Sequence, residues 1–195
     1  MVRILRNIFE LSLIFSIVAS CGNTMTADGK HSPKTEVDSL INNPVDSEDR
    51  FIDLGFELMK DESIGDIKLG IRSKLIIEML GEPEEKSESV LWGADGEYHQ
   101  QWKYTKNGIE LDIIGEVDTA LVVNMITIKS PCELKTKRKI GVGSSIEEIQ
   151  LAYQKEINHS SSAPETIVAG TIYGGIIFNI ECRKVTSFFI GASAD

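Results

Sequence analysis

The chain has 195 residues, 42% of them hydrophobic and 26% charged, with 30 acidic against 20 basic side chains and a net charge of −10. That length holds one ordinary domain. The acidic surplus argues against nucleic-acid binding, which needs a positive footprint for phosphate, and against docking on anionic lipid headgroups.

The amino terminus reads as an export signal. Arg3 and Arg6 precede a mostly apolar stretch from Asn7 to Ala19, too short for the roughly 20 residues of a membrane span and interrupted by Glu10. The stretch closes on Val18-Ala19-Ser20-Cys21. This resembles the lipobox of bacterial lipoproteins, in which small residues give the peptidase access to the backbone and the thiol takes the lipid. The expected sequence of events is cleavage after residue 20 and lipidation of Cys21. Several acyl chains, at about 0.8 kcal/mol per buried methylene, would then hold the protein on a membrane. Gly22 follows the cysteine, and by resemblance to enterobacterial lipoproteins the absence of Asp there favours the outer membrane, facing the periplasm. Without Arg3, Arg6 and Glu10 the mature chain keeps 18 basic and 29 acidic residues, a charge of −11.

Residues 21–48 are polar, with Pro33 and Pro44 and few apolar side chains. Such a segment cannot bury enough surface to offset its ordering entropy, so it reads as a flexible tether with a reach of roughly 30 Å. Residues 49–195 form the folded part. Cys132 and Cys182 lie in phase with apolar strand faces, and either a disulfide or two buried thiols fits an oxidising compartment. The run Lys135-Thr136-Lys137-Arg138-Lys139 reads as a solvated connector, the alternative being a site for an anionic glycan or acidic protein patch.

The folded part reads as one unit written twice, about 63–133 and about 134–195. In the first copy Leu69-Gly70-Ile71-Arg72-Ser73 leads into a helix over 74–80. Its Ile76, Ile77 and Leu80 share a face, and Gly81 and Pro83 stop it. Strands follow: 88–92, a turn at Ala94-Asp95-Gly96, then 98–104, a hairpin at Asn107-Gly108, the alternating Ile109-Glu110-Leu111-Asp112-Ile113, and 122–129. In the second copy Ile140-Gly141-Val142-Gly143-Ser144-Ser145 leads into a helix striped by Ile146, Ile149 and Tyr153. Strands at 166–173, 176–181 and 185–190 follow, with a turn at Gly174-Gly175. A further strand over 51–59 precedes the first copy. The expected class is α+β: two tandem α-β-β-β repeats with helices packed on one face of antiparallel sheet.

Leu69-Gly70-Ile71, Ile76, Leu80-Gly81-Glu82-Pro83 and Trp102-Lys103-Tyr104 resemble the SmpA/OmlA family of small outer-membrane lipoproteins. That resemblance implies helices on one face of a three-stranded sheet and a part in outer-membrane protein assembly. Two such units in tandem are similar to the architecture of β-lactamase inhibitory protein. The shared positions are glycine turns, a helix stop and core aromatics, which speak for fold rather than function.

No catalytic pattern stands out. Gly141-Val142-Gly143-Ser144-Ser145 lacks a Walker lysine and a third glycine. Ser144 with Glu147, or Ser145 with Glu148, has instead the spacing of a capping box. His31, His99 and His159 lie far apart, with no local zinc spacing and no cysteine partner. Neither metal nor cofactor is expected. Tyr98, His99, Trp102 and Tyr104 crowd one strand. Tyr98, Trp102 and Tyr104 share a face that is either core beneath a helix or, on the open side of the sheet, an aromatic platform for a protein partner. The functional expectation is a membrane-anchored, non-enzymatic protein-binding or assembly module. The alternatives are an inhibitor of an envelope or extracellular enzyme, or an enzyme of unrecognised type.

Overall fold

In the computed structural model the described residues are 44–115 and 120–192. The expected export signal, Cys21 and most of the expected tether lie outside them. The first described element is helix α1 (Pro44–Asp61), which starts inside the stretch read as tether and replaces the strand read over 51–59. Its buried stripe runs through Phe51 and Ile52 to Gly55 and on to Leu58 and Met59, a helical spacing.

Helix α2 (Ser73–Leu80) seats Ile76 in the core and ends on Gly81. After it come β1 (Glu85–Lys86), β2 (Val90–Leu91), β3 (Tyr98–Tyr104), a 3₁₀ turn over Thr105–Asn107, β4 (Ile109–Ile114) and β5 (Val122–Lys129). The strand expected at 88–92 is reduced to the two residues of β2, and β1, outside that range, also pairs with β3. Gly108 joins the 3₁₀ turn to β4 with φ 66°, and a side chain there would run into the carbonyl of Lys129. Only glycine fits both demands.

Helix α3 (Ile146–Ala152) opens with the expected capping box, realised by Ser145 and Glu148. The strands β6 (Thr166–Thr171), β7 (Gly174–Glu181) and β8 (Lys184–Gly191) complete the chain. The β6–β7 hairpin turns at Ile172-Tyr173, because Gly174 and Gly175 pair within the sheet instead of forming the turn read from the sequence.

The eight strands make one antiparallel sheet in the order β1-β3-β4-β5-β8-β7-β6, with β2 also on β3. Two tandem α-β-β-β repeats do not describe it. The first half carries two helices and five strands, the second one helix and three strands. The halves also share material: β5 pairs with β8, and α1 from the front of the chain packs on β6 and β7 at the back.

Glycines permit that last contact. A side chain at Gly55 of α1 would strike the carbonyl of Gly174, and a Cβ at Gly170 would stand 2.7 Å from the Gly55 Cα. The helix backbone therefore lies directly on the hairpin. One sheet face and the three helices enclose a single core, in which Ile76, Tyr104, Leu111, Ile126, Ile149, Tyr153, Phe178 and Phe188 are all buried.

Candidate functional site

The two faces of β3 decide what its aromatic residues do. Trp102 is 3% exposed and Tyr104 1%, both on the helix-covered face. The Trp102 indole N–H donates to Gln100 Oε1 at 2.6 Å and the Lys86 ammonium stands 4.3 Å from its ring. The Tyr104 hydroxyl donates to the carbonyl of Gly81 at 3.0 Å, tying β3 to the end of α2. Burial, with the charges of Glu82 and Glu84, pushes this phenol up to about 12. These two aromatics are scaffold. Tyr98, 40% exposed, is the one member of the expected platform that reaches the surface.

His99 points to the opposite face and is 3% exposed. Its Nδ1 lies 2.7 Å from Oδ2 of the buried Asp112, and its Nε2 lies 2.9 Å from Oδ2 of Asp95 in the β2–β3 turn. Asp112 also accepts from Gln101 Nε2 at 2.7 Å and from Asn124 Nδ2 at 3.0 Å. The Trp92 ring stacks on the imidazole, with centroids 3.7 Å apart and planes within 5°. The Glu97 backbone N–H and then His99 hold the Asp95 carboxyl below its usual range.

A carboxylate behind Nδ1 is how an acid–base histidine is oriented, but such a histidine works through a free Nε2. Here Nε2 is taken by Asp95 and a ring face by Trp92, so no hydroxyl or thiol is bonded to the imidazole. The arrangement places the imidazole between two carboxylates. Sequence reading missed it because Asp95 and Asp112 reach the ring from a turn and from a neighbouring strand. The signal available was the period-two phase that sets His99 and Gln101 opposite Trp102.

A second polar cluster is structural. The buried Glu62, just beyond α1, accepts from the Ser63 and Lys137 backbone N–H groups at 3.2 and 2.6 Å. It accepts as well from the Tyr153 hydroxyl at 2.9 Å. Thr136 Oγ1 lies 2.8 Å from the same hydroxyl and accepts from the Ile140 N–H at 3.1 Å. Arg138 lies over the Tyr153 ring at 4.8 Å and pairs with Glu156 at 3.1 Å. Burial and the Glu62 charge hold the Tyr153 phenol far above its ordinary range. The basic run 135–139 is thus pinned at Lys137 and Arg138 to carboxylates of its own chain. Such a saturated buried carboxylate fixes the fold of three segments at once.

Cys132 and Cys182 are both free, the first buried and the second exposed in the β7–β8 turn. Cys182 therefore does not lie on an apolar strand face as its phase suggested. Among the described residues no group of three or more His, Cys, Asp or Glu side chains is placed to hold a metal ion. A concavity of about 1010 Å³ beside the β7–β8 turn is lined by Glu165, Thr166, Asn179 and Arg183 among others and contains no histidine.

The helix-free face of the sheet remains. Register places Gln101, Lys103, Glu110, Thr127, Ser187 and Asn179 on it, together with the apolar Met125, Phe189 and Ile177. All of these are half-buried or exposed. Met125 and Phe189 meet over Gly191, and Ile177 pairs directly with Phe189. Among the described residues these features define an α+β protein with three helices on one side of an eight-stranded antiparallel sheet and no helix on the other. No protein-family model matches the chain, and no curated protein or solved structure matches it either.

Proposed function

We propose that this chain is an envelope lipoprotein, anchored through Cys21 at the outer membrane, that binds a protein partner with the helix-free face of its sheet and catalyses nothing. The observation that carries the reading is the composition of that face. Its centre is the half-buried strip Met125–Phe189–Ile177, and around it stand Gln101, Asn124, Thr127, Ser187 and Asn179, groups that can make hydrogen bonds. Lys103 and Glu110 stand on the same face beside Thr127, and an apolar centre with a polar rim is the usual anatomy of a protein interface. The likeness of residues 69–104 to the SmpA/OmlA family is in keeping with an assembly role. Among the described residues no helix is long and apolar enough to cross a membrane.

Two experiments test the two parts. In cells fed a fatty-acid analogue, the wild-type chain should incorporate label and Cys21→Ser should not; equal incorporation ends the anchoring claim. A photo-crosslinking amino acid placed at Thr127 should give a discrete adduct in intact cells, while one at Leu151, exposed on α3, should give none. Adducts from Leu151 alone would move the binding surface to the helices.

A further inference from the structure

We infer that the β2–β3 tip, residues 92–97, is a proton-operated latch whose bolt is His99. The inference stands on geometry and is independent of any partner. A carboxylate oxygen sits at each ring nitrogen, at 2.7 Å for Asp112 and 2.9 Å for Asp95. In the state with both carboxylates ionised they only accept, so both nitrogens donate, and only the imidazolium has two N–H groups. The parallel Trp92 ring adds an electron-rich face against that cation.

Loss of one proton cannot be shared equally between the two sides. Asp112 is 2% exposed, is held in place by Gln101 and Asn124, and needs the Nδ1 proton because it cannot turn to water. Asp95 is exposed and sits in a short turn. The neutral ring therefore keeps N–H on Nδ1 and presents a lone pair at Nε2 to a carboxylate oxygen, which is repulsive. The side that can relax is the tip: Asp95 swings to solvent and Trp92 loses its stacking partner.

The titratable groups facing His99 are Asp112 from β4 and Asp95 from the turn. β2 contributes Val90 opposite the ring and β5 reaches it through Asn124. Glu116 and Asp118 follow β4 in the chain and lie outside the described residues. The two ends of the latch have opposite signs. Asp95, held below its usual range, contributes closure that is present above its unfolded value and lost as pH falls through its folded one. His99 contributes closure while protonated and loses it as pH rises. The tip is then tightest where Asp95 is ionised and His99 protonated, and loosens on both sides.

Amide exchange reads this directly, on the full chain in detergent micelles. The Trp92 N–H donates to Glu97 O at 2.9 Å and the Gly96 N–H to Trp92 O at 3.0 Å, so both report closure. Corrected for intrinsic rates, their protection should fall about ten-fold or more as pH is raised through the change in the observed His99 ring signals, while that of the β7–β8 pair stays constant. The fall should track the titration of the His99 ring signals. It should vanish in Asp95→Asn, whose amide can donate to or accept from either form of the ring, and in His99→Gln. Protection that stays flat while His99 titrates overturns the latch. So does a fall that persists in Asp95→Asn, or one that occurs without any change in the His99 ring signals.

Discussion

Replacing Trp102 by alanine separates scaffold from binding surface within the aromatic strand. The ring is 3% exposed beneath α2, near Ser73, Ile77 and Leu121, with its N–H on Gln100 and Lys86 against its face. Truncating a buried tryptophan removes its transfer energy and leaves a cavity, together about 3–5 kcal/mol. The cation–π contact is part of that loss and is worth only about 0.5–1 kcal/mol, since Lys86 is partly solvated. Gln100 is half-exposed and can rebond to water, so its lost partner adds little. Against a total stability of about 5–15 kcal/mol, this single change removes at least about a fifth of a typical fold. Urea unfolding followed by circular dichroism should show a much lower midpoint with an unchanged slope. Trp102→Phe, which keeps most of the buried area, should lose far less. A loss below about 1 kcal/mol for the alanine variant would mean that the ring is not core.

Gly55→Ala should destabilise by about 1–3 kcal/mol, because the new methyl meets the Gly174 carbonyl and forces α1 off the β6–β7 hairpin. Helix propensity alone predicts the opposite sign, a gain of up to about 1 kcal/mol, so a raised melting temperature would refute the close approach. Ser145→Ala removes the capping bond to the Glu148 N–H and should cost about 1 kcal/mol; an unchanged melting temperature would show that α3 does not depend on its cap. In a Cys21→Ser background, maleimide should modify native Cys182 readily and Cys132 only on unfolding, since burial both shields the Cys132 thiol and pushes its ionisation up. Equal labelling rates in the native protein would contradict the placement of β5 and the segment after it.

Local chemistry was legible where one side chain's role is set by its chain neighbours. The alternation of Ile109-Glu110-Leu111-Asp112-Ile113 gives β4, the stripe Ile146–Ile149–Tyr153 gives α3, and Ser145 with Glu148 gives the cap. Helix α1 was not legible because Gly55 sits in the middle of its buried stripe. Glycine adds nothing to a hydrophobic period, so Ile52, Leu54, Phe56 and Leu58 were left to suggest a strand's alternation. The same glycine is what lets the helix touch Gly174, a contact that only the assembled sheet explains. The recurring glycine-to-helix turns at residues 70 and 141 suggested a repeat, but local turn chemistry says nothing about which strands pair, and β5 with β8 makes one sheet of both halves. Burial of His99 was hidden for a related reason: it depends on Asp95 and Trp92 folding back from the turn, two elements that carry no periodic signal.

The central claim is binding through the helix-free face, and the affinity of the Thr127 crosslinked partner for Phe189→Ala tests it most directly. Phe189 lies at the middle of the strip, paired with Ile177 on one side and Thr127 on the other. A central anchor of this kind should lose about 2 kcal/mol or more of binding on truncation, while Leu151→Ala on the opposite side loses none. Thermal melting of both variants, run in parallel, keeps lost binding apart from lost fold. Affinity undiminished in a folded Phe189→Ala protein would contradict the account.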